Sequence, residues 1–363
     1  MLMHQPADTV VDAVALELVH WLSDLRDVVA FVSALPQPTP ALAALLQLHQ
    51  AIDLTQHWPC LNLQNIPKRH INVGIAALAA FPRVAVAPAT NLRWLSAPLP
   101  RTTSVHMPLK SCNRTTLAFA RAWGSSVRHV WVRNANALLP HVQEVLALCQ
   151  HLDSADLLVS TATNAGLWVD ALTRPACPFF ALTVDISYMY ASAAECMPLA
   201  QAILSSPSLR RLSLICNAAG IHDALLASKG DLHHVTKFCA VGMPAQPLIK
   251  KTDPAKLLNV LCSGTFDLWR CSALQCLSLT HGSLDWPRIA TGCCPNLRFV
   301  TLFGTIADAD MPLVAQWLST SRVLRCVQTP SDSVGELGAQ AMAGALPQWI
   351  ARGLEMFRLG RNL

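Results

Sequence analysis

Apolar side chains in the stretch 209–217, LRRLSLICN, fall at its first, fourth and sixth positions, and an asparagine stands at the ninth. The same spacing recurs at Leu274 (LQCLSL), Leu297 (LRFVTL), Leu324 (LRCVQT) and Leu354 (LEMFRLGRN), the last again closing on an asparagine, Asn362. The steps between these four are 23, 27 and 30 residues. Weaker copies begin at Val127 (VRHVWV), Asp156 (DLLVST, with Asn164 in place), Phe179 (FFALTV) and Val235 (VTKFCA). Marginal ones begin at Trp58 (WPCLNL), Phe81 (FPRVAV) and near Thr102 (TSVHMP). Each short run predicts a strand, and their recurrence predicts a repeat architecture rather than a collection of independent strands.

Helical spacing fills the intervals, as at 191–203, 307–318 and 335–350, with Asp308 and Asp332 at the expected N-terminal positions. Strand, turn, helix and return turn then make one unit, too small to bury its own apolar face. Stacked side by side, such units form a parallel sheet whose first, fourth and sixth positions fill one continuous core against the helices. Asn217 and Asn362 stand where the chain leaves the strand, and an amide there can bond the unpaired backbone groups of neighbouring turns. A doubly wound α/β domain with leucine-rich strands is the rival arrangement, but it has no reason to repeat this spacing so often.

On these residues the chain resembles the leucine-rich-repeat family over residues 55–363. Its steps look like those of the ribonuclease-inhibitor-like subtype, with a full helix per repeat. The fold this implies is an α/β leucine-rich-repeat solenoid, a curved parallel sheet lined by helices.

Residues 1–54 differ. The stretch 10–35 has the spacing of two short amphipathic helices, with Val14, Leu18, Trp21 and Leu22 on one face and Leu25, Val28, Val29 and Val32 on another. Ser23 and Asp24 are suitable caps between them. A proline-rich joint at 35–40 leads to a third helical stretch, 41–52. Helices followed by such an array resemble an F-box/leucine-rich-repeat protein, through Glu17 and Leu18 in the first helix and Asp27, Val28 and Val32 in the second. The chain departs from that pattern in lacking Leu-Pro at the start, in the short spacing between the helices, and in lacking a tryptophan after the second. The resemblance implies that Glu17, Leu18, Trp21, Leu22, Asp27 and Val28 meet a Skp-type adaptor. It also implies that the chain receives substrates for a cullin-type ubiquitin ligase. The same helices can equally be a cap over the apolar end of the first repeat, leaving a scaffold with no ligase link. The directions of Trp21 and Phe31 separate the two.

Strand positions two, three and five point away from the core and line the concave face. They supply Arg128, His129 and Trp131; Arg210, Arg211 and Ser213; Arg298, Phe299 and Thr301; Arg325 and Gln328; Met356 and Arg358. Arginine and aromatic residues dominate interface energetics, and the guanidinium fork suits carboxylates, so the expected ligand is an acidic protein segment. The other reading is a merely solvated strand face. The 39 residues from Val235 to Leu274 suggest an inserted loop at 241–258, carrying Lys250 and Lys251, that contacts a partner.

Composition narrows the function further. With 363 residues, 52% hydrophobic and 13% charged, material for a core is ample. A net charge of +5 from dispersed basic residues does not argue for nucleic acid. The start, MLMHQPADT, lacks the pattern of a secretory signal, and the most apolar window, 73–89, is broken by Pro82 and Arg83, so no membrane span is expected. Thirteen cysteines then fit reduced thiols in the cytoplasm or nucleus. Phosphate-binding loops, nucleophile elbows and zinc-protease motifs are absent from the sequence. Cys271, Cys276, Cys293 and Cys294 lack the paired spacing of a zinc site, and His233 and His234 have no partner set nearby. No catalytic residue, metal or cofactor is expected.

Overall fold

The computed structural model describes residues 7–86, 99, 102–109, 114–132, 139–158, 168–169, 172–173, 180–185, 192–215, 219–263, 267–280, 284–304, 306–330 and 334–360. Asp332, Asn164, Asn217 and Asn362 lie outside them. The chain divides near residue 155 into two compact units.

The first unit opens with three helices, α1 (Ala7–Trp21), α2 (Leu25–Ala34) and α3 (Pro40–Ala51). Their starts follow from local chemistry. The Asp24 carboxylate accepts the Arg26 N–H ahead of α2, and the Thr39 hydroxyl accepts the Leu42 N–H ahead of α3, where Pro40 gives up no needed donor. Strands β1 (Cys60–Asn62), β2 (Arg83–Ala85), β3 (Ser104–Pro108) and β4 (Val127–Val132) pair parallel in chain order. Helices Ile71–Ala77, Arg114–Trp123 and Leu139–Leu148 alternate with them. Leu61, Leu63, Phe81, Val84, Val86, Val105, Met107, Val127 and Val130 are all buried, so the marginal upstream copies are repeats. The one read as TSVHMP is out of register by one place, since its third and fifth residues, Val105 and Met107, are the buried ones and His106 and Pro108 are not.

Strand β5 (Ser154–Leu158) falls where the chain passes between the units. Its register differs from the sequence expectation. Leu152 and Ala155 are the buried positions and Asp156 is exposed, so this repeat starts at Leu152, because a carboxylate cannot occupy the core without a partner.

The second unit carries β6 (Ala181–Asp185), β7 (Arg211–Ile215), β8 (Lys237–Pro244), β9 (Asn259–Ser263), β10 (Cys276–Thr280), β11 (Phe299–Phe303), β12 (Cys326–Thr329) and β13 (Met356–Leu359). These too are parallel and hydrogen-bonded in chain order. The helices Ala193–Leu204, Ala219–Ala227, Met311–Thr320 and Glu336–Ala351 lie between them in sequence. Leu209, Leu212 and Leu214 are all fully buried, as are Leu274, Leu277 and Leu279 within a few per cent. Each such side chain contributes roughly 1.5–3 kcal/mol by leaving water. Strand face, burial and chain order together make this an α/β solenoid of leucine-rich-repeat type.

Two expectations change here. The supposed insertion at 241–258 is not a loop, since β9 forms a repeat of its own with Leu257, Val260 and Cys262 buried. Lys251 is not free to meet a partner, because its Nζ donates to the carbonyls of Ser228 and Gly230 at 2.8 and 3.2 Å. Asp308 does stand near a helix start, but it serves the following helix. Its Oδ1 accepts the backbone N–H of Gly335 at 2.7 Å and of Gly338 at 2.8 Å, capping Glu336–Ala351 from the preceding repeat. A Cβ on either glycine would stand 2.6 Å from an Asp308 oxygen, so the cap requires both positions bare.

Leu212→Asp is expected to unfold the neighbouring repeats, since an unpaired buried carboxylate costs several kcal/mol; loss of the far-ultraviolet dichroism of a folded chain checks it. Asp308→Ala should leave the chain folded but lower its thermal midpoint by the equivalent of about 0.5–2 kcal/mol, the usual cost of a lost N-cap.

Candidate partner-binding face

Alternation along a strand sends positions three and five to the side opposite the core, and parallel pairing in constant register lines them up across strands. From β7 to β13, position three runs Arg211, Lys237, Asn259, Cys276, Phe299, Cys326, Met356. Position five runs Ser213, Cys239, Leu261, Ser278, Thr301, Gln328, Arg358. Over β7 to β11 these two rows line a hollow of about 340 Å³. Its cationic end is Arg211 and Lys237; its apolar end is Phe299, which is 47% exposed. Neither cation makes an ion pair with an acidic side chain among the described residues.

The arginines at position two sit elsewhere. Arg210, Arg298 and Arg325 precede their strands and so escape the alternation, while Arg128 is the second residue of β4. Arg128 donates to the carbonyl of His151 at 3.1 Å, Arg210 to those of Pro207 and His234 at 2.8 and 3.3 Å, and Arg325 to that of Gly353 at 2.7 Å. Arg325 also reaches Glu355 at 3.5 Å. These side chains brace one repeat against the next, whereas Arg298 and Arg358 are exposed. Of the arginines expected on the concave face, Arg211 alone lines the hollow. His129 and Trp131 do lie on a strand face, that of the first unit, with ring centroids 5.9 Å apart. His106 stands 5.0 Å from His129 on the other side, and His129 Nδ1 lies 2.8 Å from the Ser154 hydroxyl.

Lys237, Cys239, Asn259, Leu261 and Ser278 were not among the expected face residues. Asn259 and Leu261 follow once LLNVLC at 257–262 is recognised as a copy of the repeat spacing, and Ser278 is the fifth position of LQCLSL. Burial pushes the Cys239 and Cys276 thiols up, and takes Cys262 and Cys271 to about 12, so these sulfurs are held protonated and are poor nucleophiles and ligands. No group of three or more His, Cys, Asp or Glu suited to a metal ion occurs among the described residues. No helix among them is long and apolar enough to cross a membrane.

A second surface lies on α1, in the first unit. Of its described side chains Ala15 and Val19 are buried, and the helix meets the turn Leu78–Ala80 of the first repeats. His20 donates its Nε2–H to the Ala79 carbonyl at 3.1 Å, and the Trp58 indole N–H reaches the Leu22 carbonyl at 3.2 Å. The opposite face holds Val14, Leu18 and Trp21, which are 50, 48 and 86% exposed. The sequence spacing had grouped these three as one face, and they do share one, but it is the outer face. Small Ala15 and compact Val19 allow the close approach that the larger residues would block. Glu17 is exposed on the same helix and Asp27 is exposed on α2, while Leu22 is half-buried and Val28 is fully buried in the helical core. Phe31 is half-buried.

Chain order, register and burial define a parallel-sheet solenoid of leucine-rich-repeat type. No protein-family model and no curated protein matches the sequence. Among solved structures, a chain of the crystal structure of the Rad7 and Elc1 complex in yeast matches with a TM-score of 0.50 and 14% identity, over 98% of this chain and 94% of that one. The likeness is one of fold.

Burial lowers the His20 pKa below its ordinary 6.5, outweighing the Ala79 hydrogen bond and the Glu17 charge that raise it. The unfolded or undocked chain therefore takes up the proton first. Docking of α1 is fully favoured above pH 6.5 and weakens as pH falls through 6.5 toward the lower folded value. Amide exchange along α1 should speed up, relative to the rest of the chain and after correction for intrinsic rates, between pH 7.5 and 5.5; His20→Gln should remove most of that difference.

Proposed function

We propose that this chain is a non-catalytic recognition subunit. In this reading α1 docks on a Skp-type adaptor of a cullin-type ubiquitin ligase, and the strand face holds the target protein. The observation that carries it is the two-faced α1. One side is fastened to the first repeat through Ala15, Val19 and His20. The other offers Val14, Leu18 and Trp21 to solvent, flanked by the acidic Glu17. A helix that served only as a cap would have its largest apolar side chain on the repeat, and an exposed apolar ridge is a mark of an interaction surface. The neighbour of similar fold was solved as a complex of Rad7 with Elc1, which fits a chain of this architecture working with a second protein. The cytoplasm or nucleus is the setting such a role requires.

A scaffold with no ligase link is the second reading. The hydrogen bonds from His20 and Trp58 favour it, since they make the helices a cap whatever else they do.

Full-length chain carrying Leu18→Asp and Trp21→Asp should lose capture of a Skp-type adaptor by about 30-fold or more, the scale of an interface anchor worth about 2 kcal/mol. Its thermal midpoint should stay close to that of the unaltered chain, because both side chains are largely in water. No capture by the folded, unaltered chain would leave the scaffold reading.

A further inference from the structure

The row at position three is graded. Arg211 and Lys237 stand side by side on β7 and β8, Asn259 and Cys276 follow, and Phe299, Cys326 and Met356 complete it. Phe299 and Met356 are 47 and 52% exposed. Two like charges on neighbouring strands repel, and no acidic side chain among the described residues offsets them. We infer that the hollow takes an extended peptide segment lying across the strands, with one or two carboxylates at Arg211 and Lys237 and an apolar side chain against Phe299. This rests on the strand face being the target-binding face, and it names the class of segment held there.

The spacing of the row sets the spacing of the ligand. Adjacent strands lie about 4.8 Å apart, so Phe299, three strands beyond Lys237 and four beyond Arg211, is about 14–19 Å away. An extended chain rises about 3.3 Å per residue, which puts the apolar side chain about four to six residues from the acidic one. Ser213, Ser278 and Thr301 in the adjoining row line the hollow with hydroxyl groups for the backbone of such a segment. A polyanion fits less well. Beyond Lys237 the row holds no further cation through Met356, while a nucleic-acid backbone presents a charge at every step.

The test is selection of a display library of random 12-residue peptides on the full-length chain. It is repeated on Arg211→Glu/Lys237→Glu and on Phe299→Ser, with exposed Arg322→Glu as a control for charge alone. Thermal unfolding confirms that each variant is folded. The expected result is enrichment of peptides with Asp or Glu four to six residues from Leu, Ile, Phe or Met. Affinity measured by fluorescence anisotropy should fall about tenfold or more in the double variant and in Phe299→Ser, and be unchanged in Arg322→Glu. Enriched peptides that respond to the strand-face variants but lack this spacing would overturn the inference and leave the face as the binding site. Enriched peptides indifferent to all strand-face variants, or no enrichment, would overturn the inference. Of these, only indifferent peptides would also move the binding site off this face.

Discussion

One backbone contact organises the second unit. The carbonyl at position two of each repeat accepts both N–H groups at positions two and three of the next. Phe180 accepts from Arg210 and Arg211, Arg210 from Thr236 and Lys237, Thr236 from Leu258 and Asn259, and so on to Arg325, which accepts from Glu355 and Met356. The distances stay between 2.7 and 3.2 Å throughout. A carbonyl has two lone pairs, and at a strand entrance buried between repeats both must be used. The pairing locks register from one strand to the next. That register aligns the side chains of positions three and five into rows, so the hollow on the strand face is a consequence of main-chain geometry. Because the bond is made by backbone, the residue at position two is free to vary, and phenylalanine, arginine, threonine, leucine and glutamine all serve.

The arginines at that position show how a face residue and a structural one diverge by a single place in the sequence. Arg210 and Arg211 are neighbours. The first folds back to carbonyls of its own loop and the next repeat, while the second enters the strand and faces the hollow. A guanidinium bonded to a buried-edge carbonyl is a brace between repeats; one with no acidic partner is available to a ligand. Asp308 and Lys251 act as braces in the same sense, each reaching across to the backbone of an adjoining repeat. Stability in this chain therefore resides largely in interfaces between neighbouring repeats, as expected where no repeat buries its own core.

The first helix has a geometry that fits both of two roles that the sequence presents as alternatives. Val19 and His20 close the first repeat, and Trp21, one residue on, projects into water. A helix places successive residues about 100° apart, so one element can seal a core and present an apolar ridge at once. Capping and recruitment are compatible in geometry, and what distinguishes the readings is whether a partner occupies the ridge.

The sequence by itself determined the repeat and its buried positions. A core built from the first, fourth and sixth positions demands apolar side chains there, and that demand is visible as spacing even in the marginal copy at Phe81. It also determined the helical cap at Asp24, which acts over two residues. Other features were settled only by tertiary structure. The β9 repeat was hidden because Leu257 follows Val235 at the expected interval but is followed too soon by Leu274, so length suggested a loop where packing made a strand. The start of the β5 repeat at Leu152 was hidden because Ala155 is too small to stand out as a core residue. Which face of α1 is buried could not be read from hydrophobicity, since close approach favoured Ala15 and Val19 over the larger Leu18 and Trp21. The grading of the strand face from Arg211 to Met356 joins residues far apart in the chain, and only the register between strands sets them in one row.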